Sequence, residues 1–241
     1  VGTSFTYGDT WLFAVGDETW RRVETGEGPS ARAGSVATFD RSADTFVMFA
    51  GAEEPTAAEL PLTETWVFDP VAERWSQRFT NQAPSLLSEG HPTLFELAMV
   101  YDEAARRSIL MVAGESTWTY DETAVAWAKV DATGTQGLGA DYMTAAAYDT
   151  LNRLVVAYGG APTERTAATW AYDSVADSWE QIDRGSPTPG PRANHAMAYD
   201  STTRRSYLFG GAATVLTIES PDPVTDQMWA RDAGGWSLVA P

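Results

Sequence analysis

Short apolar runs recur along the chain, each closed by a polar turn, and they come in two kinds. One is a run of small and aromatic residues ending in Asp: VATFD at Asp40, AMVYD at Asp102, AAAYD at Asp149 and AMAYD at Asp200. The other follows after a short polar stretch and ends in Gly: FVMFAG at Gly51, ILMVAG at Gly114, VVAYGG at Gly160 and YLFGG at Gly211. Runs of this length, rich in Val, Phe, Tyr and Trp, predict β-strands. The Asp, Pro, Ser, Thr and Asn between them predict tight turns, as at Asp69-Pro70 and Asp173-Ser174.

Tryptophan marks two more strands in each unit. Trp11 and Trp20, Trp66 and Trp75, Trp118 and Trp127, Trp170 and Trp179, and Trp229 and Trp236 account for all ten. Successive pairs lie roughly 50 residues apart, a period that signals a repeat architecture. Each unit reads strand, turn, strand, Gly, loop, Trp strand, turn, Trp strand. Most strands are apolar on both faces, so both faces must be covered. Blades stacked around an axis supply that cover, whereas a two-sheet sandwich leaves a polar outer face. The expected fold is all-β: a propeller of four-stranded antiparallel blades in one domain over 1–241. A half blade falls at 1–24 and complete blades at 30–80, 94–131, 141–184 and 191–241.

The units resemble kelch repeats. The resemblance rests on the Gly pairs Gly159-Gly160 and Gly210-Gly211, and on an aromatic seven residues before the second Trp (Phe13, Phe68, Tyr120, Tyr172). It rests also on Pro191-Arg192-Ala193-Asn194-His195, echoed in part by Arg32-Ala33-Gly34-Ser35. Departures are Ala before Gly51 and Gly114, Leu94-Phe95-Glu96 in place of the Arg opening, and Arg231-Asp232 in place of aromatic-Asp. The resemblance implies a structural role for the ten Trp, as filling between blades, and for Gly51, Gly114, Gly160 and Gly211, as backbone pivots. It also implies that His195 bonds neighbouring backbone and that Arg32 and Arg192 brace adjacent blades.

The first unit has only its Trp pair, and a lone hairpin is marginal in water. The expectation is a parent ring of six or seven blades with sequence upstream of Val1, or completion by a partner subunit. Within each blade the first-to-second and third-to-fourth turns are short. The loops on the opposite face, at 52–63, 80–93, 131–140, 183–191 and 212–226, are long, and long loops on a rigid scaffold carry binding. Candidate binding groups on that face are Arg32, Glu53, Glu54, His91, Glu96, Glu115, Asp141, Arg192, Asn194 and His195.

Charge and composition narrow the chemistry. Thirty-three acidic against 16 basic side chains give a formal charge of -17, which repels a nucleic acid. Cysteine is absent and only two histidines exist, which disfavours zinc and a galactose-oxidase-type copper site. No EF-hand loop, phosphate-binding Gly loop or nucleophile elbow appears. No apolar run is long enough to cross a membrane. The reading is a non-catalytic module with no cofactor and no metal, docking a protein or a glycan through its long-loop face. One alternative, implied by the resemblance, is a sugar-modifying enzyme of the sialic acid mutarotase type, drawing on Arg32, Arg192 and Glu96. The other is a structural subunit of a larger assembly. The lack of Cys and the acidic, Trp-rich repeat point to a secreted or periplasmic setting.

Overall fold

The computed structural model describes residues 6–53, 60–88, 91–92, 97–112, 116–134, 144–159, 167–183, 185, 187–212 and 224–240, with backbone alone for 87, 88, 91, 92 and 240. All regular structure in them is β. Strands β1 (Thr10–Ala14) and β2 (Thr19–Val23) pair as an isolated hairpin. The first blade is β3 (Val36–Asp40), β4 (Thr45–Phe49), β5 (Thr65–Asp69) and β6 (Arg74–Arg78). A two-rung hairpin, β7 (Leu87–Ser88) and β8 (His91–Pro92), lies between it and the second blade. That blade is β9 (Leu97–Asp102), β10 (Arg107–Val112), β11 (Ser116–Asp121) and β12 (Ala126–Val130). The third is β13 (Ala145–Asp149), β14 (Leu154–Tyr158), β15 (Thr169–Asp173) and β16 (Ser178–Ile182). The fourth is β17 (Ala193–Asp200), β18 (Arg205–Ala212), β19 (Met228–Asp232) and β20 (Gly235–Ala240).

Each blade is an antiparallel meander in chain order, and the four are arranged as a four-bladed propeller. Their first strands line the axis, where β3 packs on β9, β9 on β13 and β13 on β17. Among the described residues, β17 makes no comparable packing against β3. The expected four blades and half blade are therefore what the chain forms.

The turns explain why Asp closes so many strands. Its Oδ1 accepts the amide N–H groups that the reversal leaves unpaired: Ser42 and Ala43 on Asp40, Ala104 and Ala105 on Asp102, Leu151 and Asn152 on Asp149. Asp69 and Asp173 do the same for the third-to-fourth turns. This is the Asx turn, a side chain standing in for a backbone acceptor. The residue that re-enters the next strand is left-handed, as at Asp44 (φ 55°), Arg106 (φ 55°), Arg153 (φ 58°) and Arg204 (φ 57°).

The core lies between blades. Val47 and Phe49 of the first blade meet Leu110, Val112, Tyr120 and Trp127 of the second. Ile109 and Met111 meet Val155, Ala157, Tyr172 and Trp179 of the third, and Tyr158 meets Leu208 and Trp236 of the fourth. Alternate residues of each middle strand thus face opposite neighbours, which is why these runs are apolar on both faces.

Gly51 and Gly211 are among the glycines demanded by close approach. A Cβ on Gly51 would sit 2.4 Å from Ser35 Oγ, and one on Gly211 would sit 2.8 Å from the Ala193 carbonyl, both at positive φ. Gly114 and Gly160 lie outside the described residues. Pairing of Ser108 with Tyr120, where Phe46 pairs with Phe68 and Val155 with Tyr172, makes the run to Gly114 one residue longer than its counterparts.

Candidate functional site

The last Trp of each complete blade reaches back to the preceding unit. Trp75 Nε1 donates to Thr10 Oγ1 at 2.8 Å, Trp127 to Thr65 at 2.8 Å, Trp179 to Thr117 at 2.9 Å and Trp236 to Thr169 at 2.8 Å. The acceptor is always the Thr that precedes the third-strand Trp of the preceding unit. Between neighbouring blades this clasp fixes an otherwise non-directional apolar contact, because a buried indole N–H needs an acceptor.

The hairpin holds the fifth member of the series. Trp20 faces Phe13 across the strand pair with ring centroids 5.1 Å apart, as Trp75 faces Phe68 at 5.0 Å and Trp127 faces Tyr120 at 5.0 Å. Its sheet is built like the others, but no blade covers it. Trp11, Phe13 and Trp20 are 48%, 44% and 65% exposed. Of the ten Trp expected to fill space between blades, five are buried and three half-buried, while Trp11 and Trp20 are exposed. This corrects the expectation for those two: the apolar face is present, but its neighbour is not. One edge of β1 pairs with β2, and the other pairs with no described strand.

A second recurring bond orients the third-strand Trp. Its indole donates to the side chain two residues earlier: Trp11 to Asp9 at 2.6 Å, Trp66 to Glu64 at 2.9 Å, Trp118 to Ser116 at 3.0 Å and Trp229 to Gln227 at 3.2 Å. In the third blade that position is Ala168, and Trp170 Nε1 is buried without a partner among the described residues. Ala168→Ser is expected to raise stability by about 1 kcal/mol, supplying the acceptor that Ser116 supplies one blade earlier. Thermal unfolding measures it, at roughly 2–4 °C for a domain of this size. An unchanged or lower midpoint would sink the account.

Arg32 and Arg192 brace their own blades rather than adjacent ones. Arg32 donates to the Ala50 carbonyl at 3.1 Å and to Glu64 at 2.7 Å; Arg192 donates to the Gly210 carbonyl at 3.0 Å, to the Pro189 carbonyl and to Gln227 at 3.2 Å. Burial alone would raise the Glu64 pKa, but the Trp66 indole and Arg32 hold it below the usual carboxylate range. Asn194 is exposed with φ 58°, where the first blade has Gly34 at φ 75°. That left-handed conformation suits Asn and Gly best.

His195 is buried 5.8 Å edge-on from Tyr158, and neither ring nitrogen has a hydrogen-bond partner among the described residues. The Tyr158 backbone of the third blade lies close enough to work toward raising the His195 pKa, although no well-formed hydrogen bond to it is made. Burial and the nearby Arg192 charge push its pKa down to about 4. Glu53 is exposed and its carbonyl accepts from Thr6 Oγ1 at 2.9 Å. His91 is placed by its backbone in β8, while Glu54, Glu96, Glu115 and Asp141 lie outside the described residues.

The axial channel opens at the short-turn end as a cavity of about 420 Å³, lined by inner-strand residues that include Phe39, Tyr101, Tyr148 and Tyr199. Arg41 and Glu103 at its rim pair with each other at 2.8 Å. Burial and the Asp102 carboxylate drive the Tyr148 phenol above its ordinary pKa, so it stays protonated. Among the described residues no cluster of three or more His, Asp or Glu is placed to hold a metal. No family model matches the chain, and no curated protein matches it.

Proposed function

We propose that this chain is a non-catalytic assembly module, a kelch-type propeller segment that joins a protein partner through the side of its first, half-built blade. The exposed aromatic face of β1 and β2 carries the reading. Three large rings stand in solvent in the arrangement that the later units bury between blades. Scattered apolar side chains need no explanation, but a contiguous aromatic face marks an interaction site.

The sugar-enzyme alternative loses support from Arg32 and Arg192. Their guanidinium groups are committed to backbone carbonyls and to Glu64 and Gln227 of their own blades. Docking through the long-loop face would draw on exposed Glu53 and Asn194, both polar.

The test is the native mass of the species carrying this sequence, purified from the cells that make it. The expected species exceeds the 26.1 kDa of this chain. Trp20→Arg is expected to destabilise or dissociate it, because the charge would have to be buried unpaired. A native species of 26.1 kDa, unaffected by Trp20→Arg, overturns the reading.

A further inference from the structure

We infer that the β1–β2 face is the seat of a further blade of the same design, one that offers an unengaged Thr hydroxyl at the start of its third strand and is carried on polypeptide outside residues 1–241. This deepens the assembly reading and rests on it, naming the partner and the bond that selects it. Four times in this chain a last-strand Trp lies over a neighbouring blade and donates to such a Thr. Trp20 has the same strand position and the same cross-strand aromatic, but no blade lies over it. What covers the other four is therefore a template for what covers the fifth.

The template also says what the occupant is not. A second copy of this chain has, among the described residues, no unengaged Thr at the start of a third strand to give, because Thr10, Thr65, Thr117 and Thr169 are already engaged. The fourth blade does not supply one either. Thr65 pairs with Phe49, Thr117 with Met111 and Thr169 with Tyr158, and the residue in that register opposite Phe209 is Met228. Thioether is a poor acceptor for an indole N–H. The fourth blade is itself uncovered on its far side. Phe209 is 50% exposed, whereas Phe49, Met111 and Tyr158 at the same register are 9% or less. The propeller thus has two open blade faces, and the fourth blade cannot close on Trp20 with the bond used elsewhere.

The free edge of β1 points the same way. In every complete blade the third strand pairs with a second strand as well as a fourth, but among the described strands β1 pairs with β2 alone. An occupant entering beside Trp20 can complete that sheet as well as cover its face. A membrane or an unrelated apolar surface would satisfy the rings, but not the indole donor or the strand edge.

The test builds the occupant from the chain's own parts. Residues 97–167, the second blade and the first half of the third, are grafted ahead of Asp9. Their first-half strands then run into β1 as they normally run into β15, and the grafted copy of Thr117 comes opposite Trp20. The readout is hydrogen exchange of the Trp20 indole N–H by NMR, identified by its loss in Trp20→Phe. Exchange in the parent chain is expected to be fast. In the graft it should slow about tenfold or more, as for a protected buried donor. Thr117→Val in the grafted copy alone should restore fast exchange while the graft stays folded by circular dichroism.

A folded graft with fast Trp20 exchange overturns the inference, even where the native species proves larger than 26.1 kDa. So does slow exchange in the parent chain that speeds on dilution, which would mean that a second copy covers the face. Slow exchange in the graft that survives Thr117→Val would remove the Thr from the recognition and overturn the bond proposed here.

Discussion

Trp127→Ala is expected to lower stability by about 4 kcal/mol, the range for emptying a large aromatic site, while Trp20→Ala should change it by no more than about 0.5 kcal/mol in this chain. The two residues occupy the same position of their hairpins. Trp127 is 2% exposed, packs on Phe49 at 4.9 Å and on Tyr120 at 5.0 Å, and donates to buried Thr65. Trp20 has the cross-strand partner and lacks the rest. The difference between the two substitutions therefore isolates what a neighbouring blade contributes. The polar part is separable: Thr65→Val and Trp127→Phe should each cost about 1–3 kcal/mol, since each leaves one buried group unpaired. The pair together should cost clearly less than the sum, because the second change removes the group that the first orphaned. Urea unfolding of the four proteins measures it. Additive losses, or similar costs for Trp127→Ala and Trp20→Ala, would refute the clasp.

The Trp pairs and the Asp-ended runs made the blades legible, because each reports something local: a cross-strand aromatic pair or a carboxylate folded onto its own turn. The clasp is different in kind. Thr stands before Trp at 10, 65, 117 and 169 in plain view. The bonds nevertheless join residues 62 to 67 positions apart in adjacent blades, and only the stacking of the ring decides which Thr meets which Trp. The same holds for exposure. Nothing in the composition of β1 and β2 distinguishes Trp11 and Trp20 from their buried counterparts, since burial is a property of the neighbour. Arg32 and Arg192 were found by resemblance, but their partners depend on where the second strand leaves the sheet and frees a carbonyl at Ala50 or Gly210. Glu64 and Gln227, which hold those arginines and also orient Trp66 and Trp229, match no family motif. The available signal was a side-chain acceptor two residues before Trp in four units and Ala168 in the fifth.

Acid should destabilise the protein through His195, starting well above the carboxylate range. In the unfolded chain the imidazole takes a proton near its ordinary pKa of 6.5; in the folded chain burial first, and the Arg192 charge second, hold it neutral down to about 4. Between those values the unfolded state binds more protons than the folded one, so stability rises with pH across the window and falls as acid is added. Above pH 6.5 both states are neutral at this residue and it contributes no slope. The full loss, reached near pH 4, is roughly 3 kcal/mol at 1.36 kcal/mol per unit of separation. Glu64, Asp69 and Asp200 are held below their ordinary carboxylate values, so their losses come at lower pH. The stretch from about pH 5 to 6.5 therefore reads histidine. His195→Gln, neutral throughout, should flatten the urea midpoint across that stretch, while His91→Gln should leave the slope in place. A slope that persists in His195→Gln would mean that the imidazole is solvated and charged in the fold. The third and fourth blades would then be held by a charged residue between Tyr158 and Arg192, an arrangement made costly by burial without a well-formed hydrogen bond among the described residues.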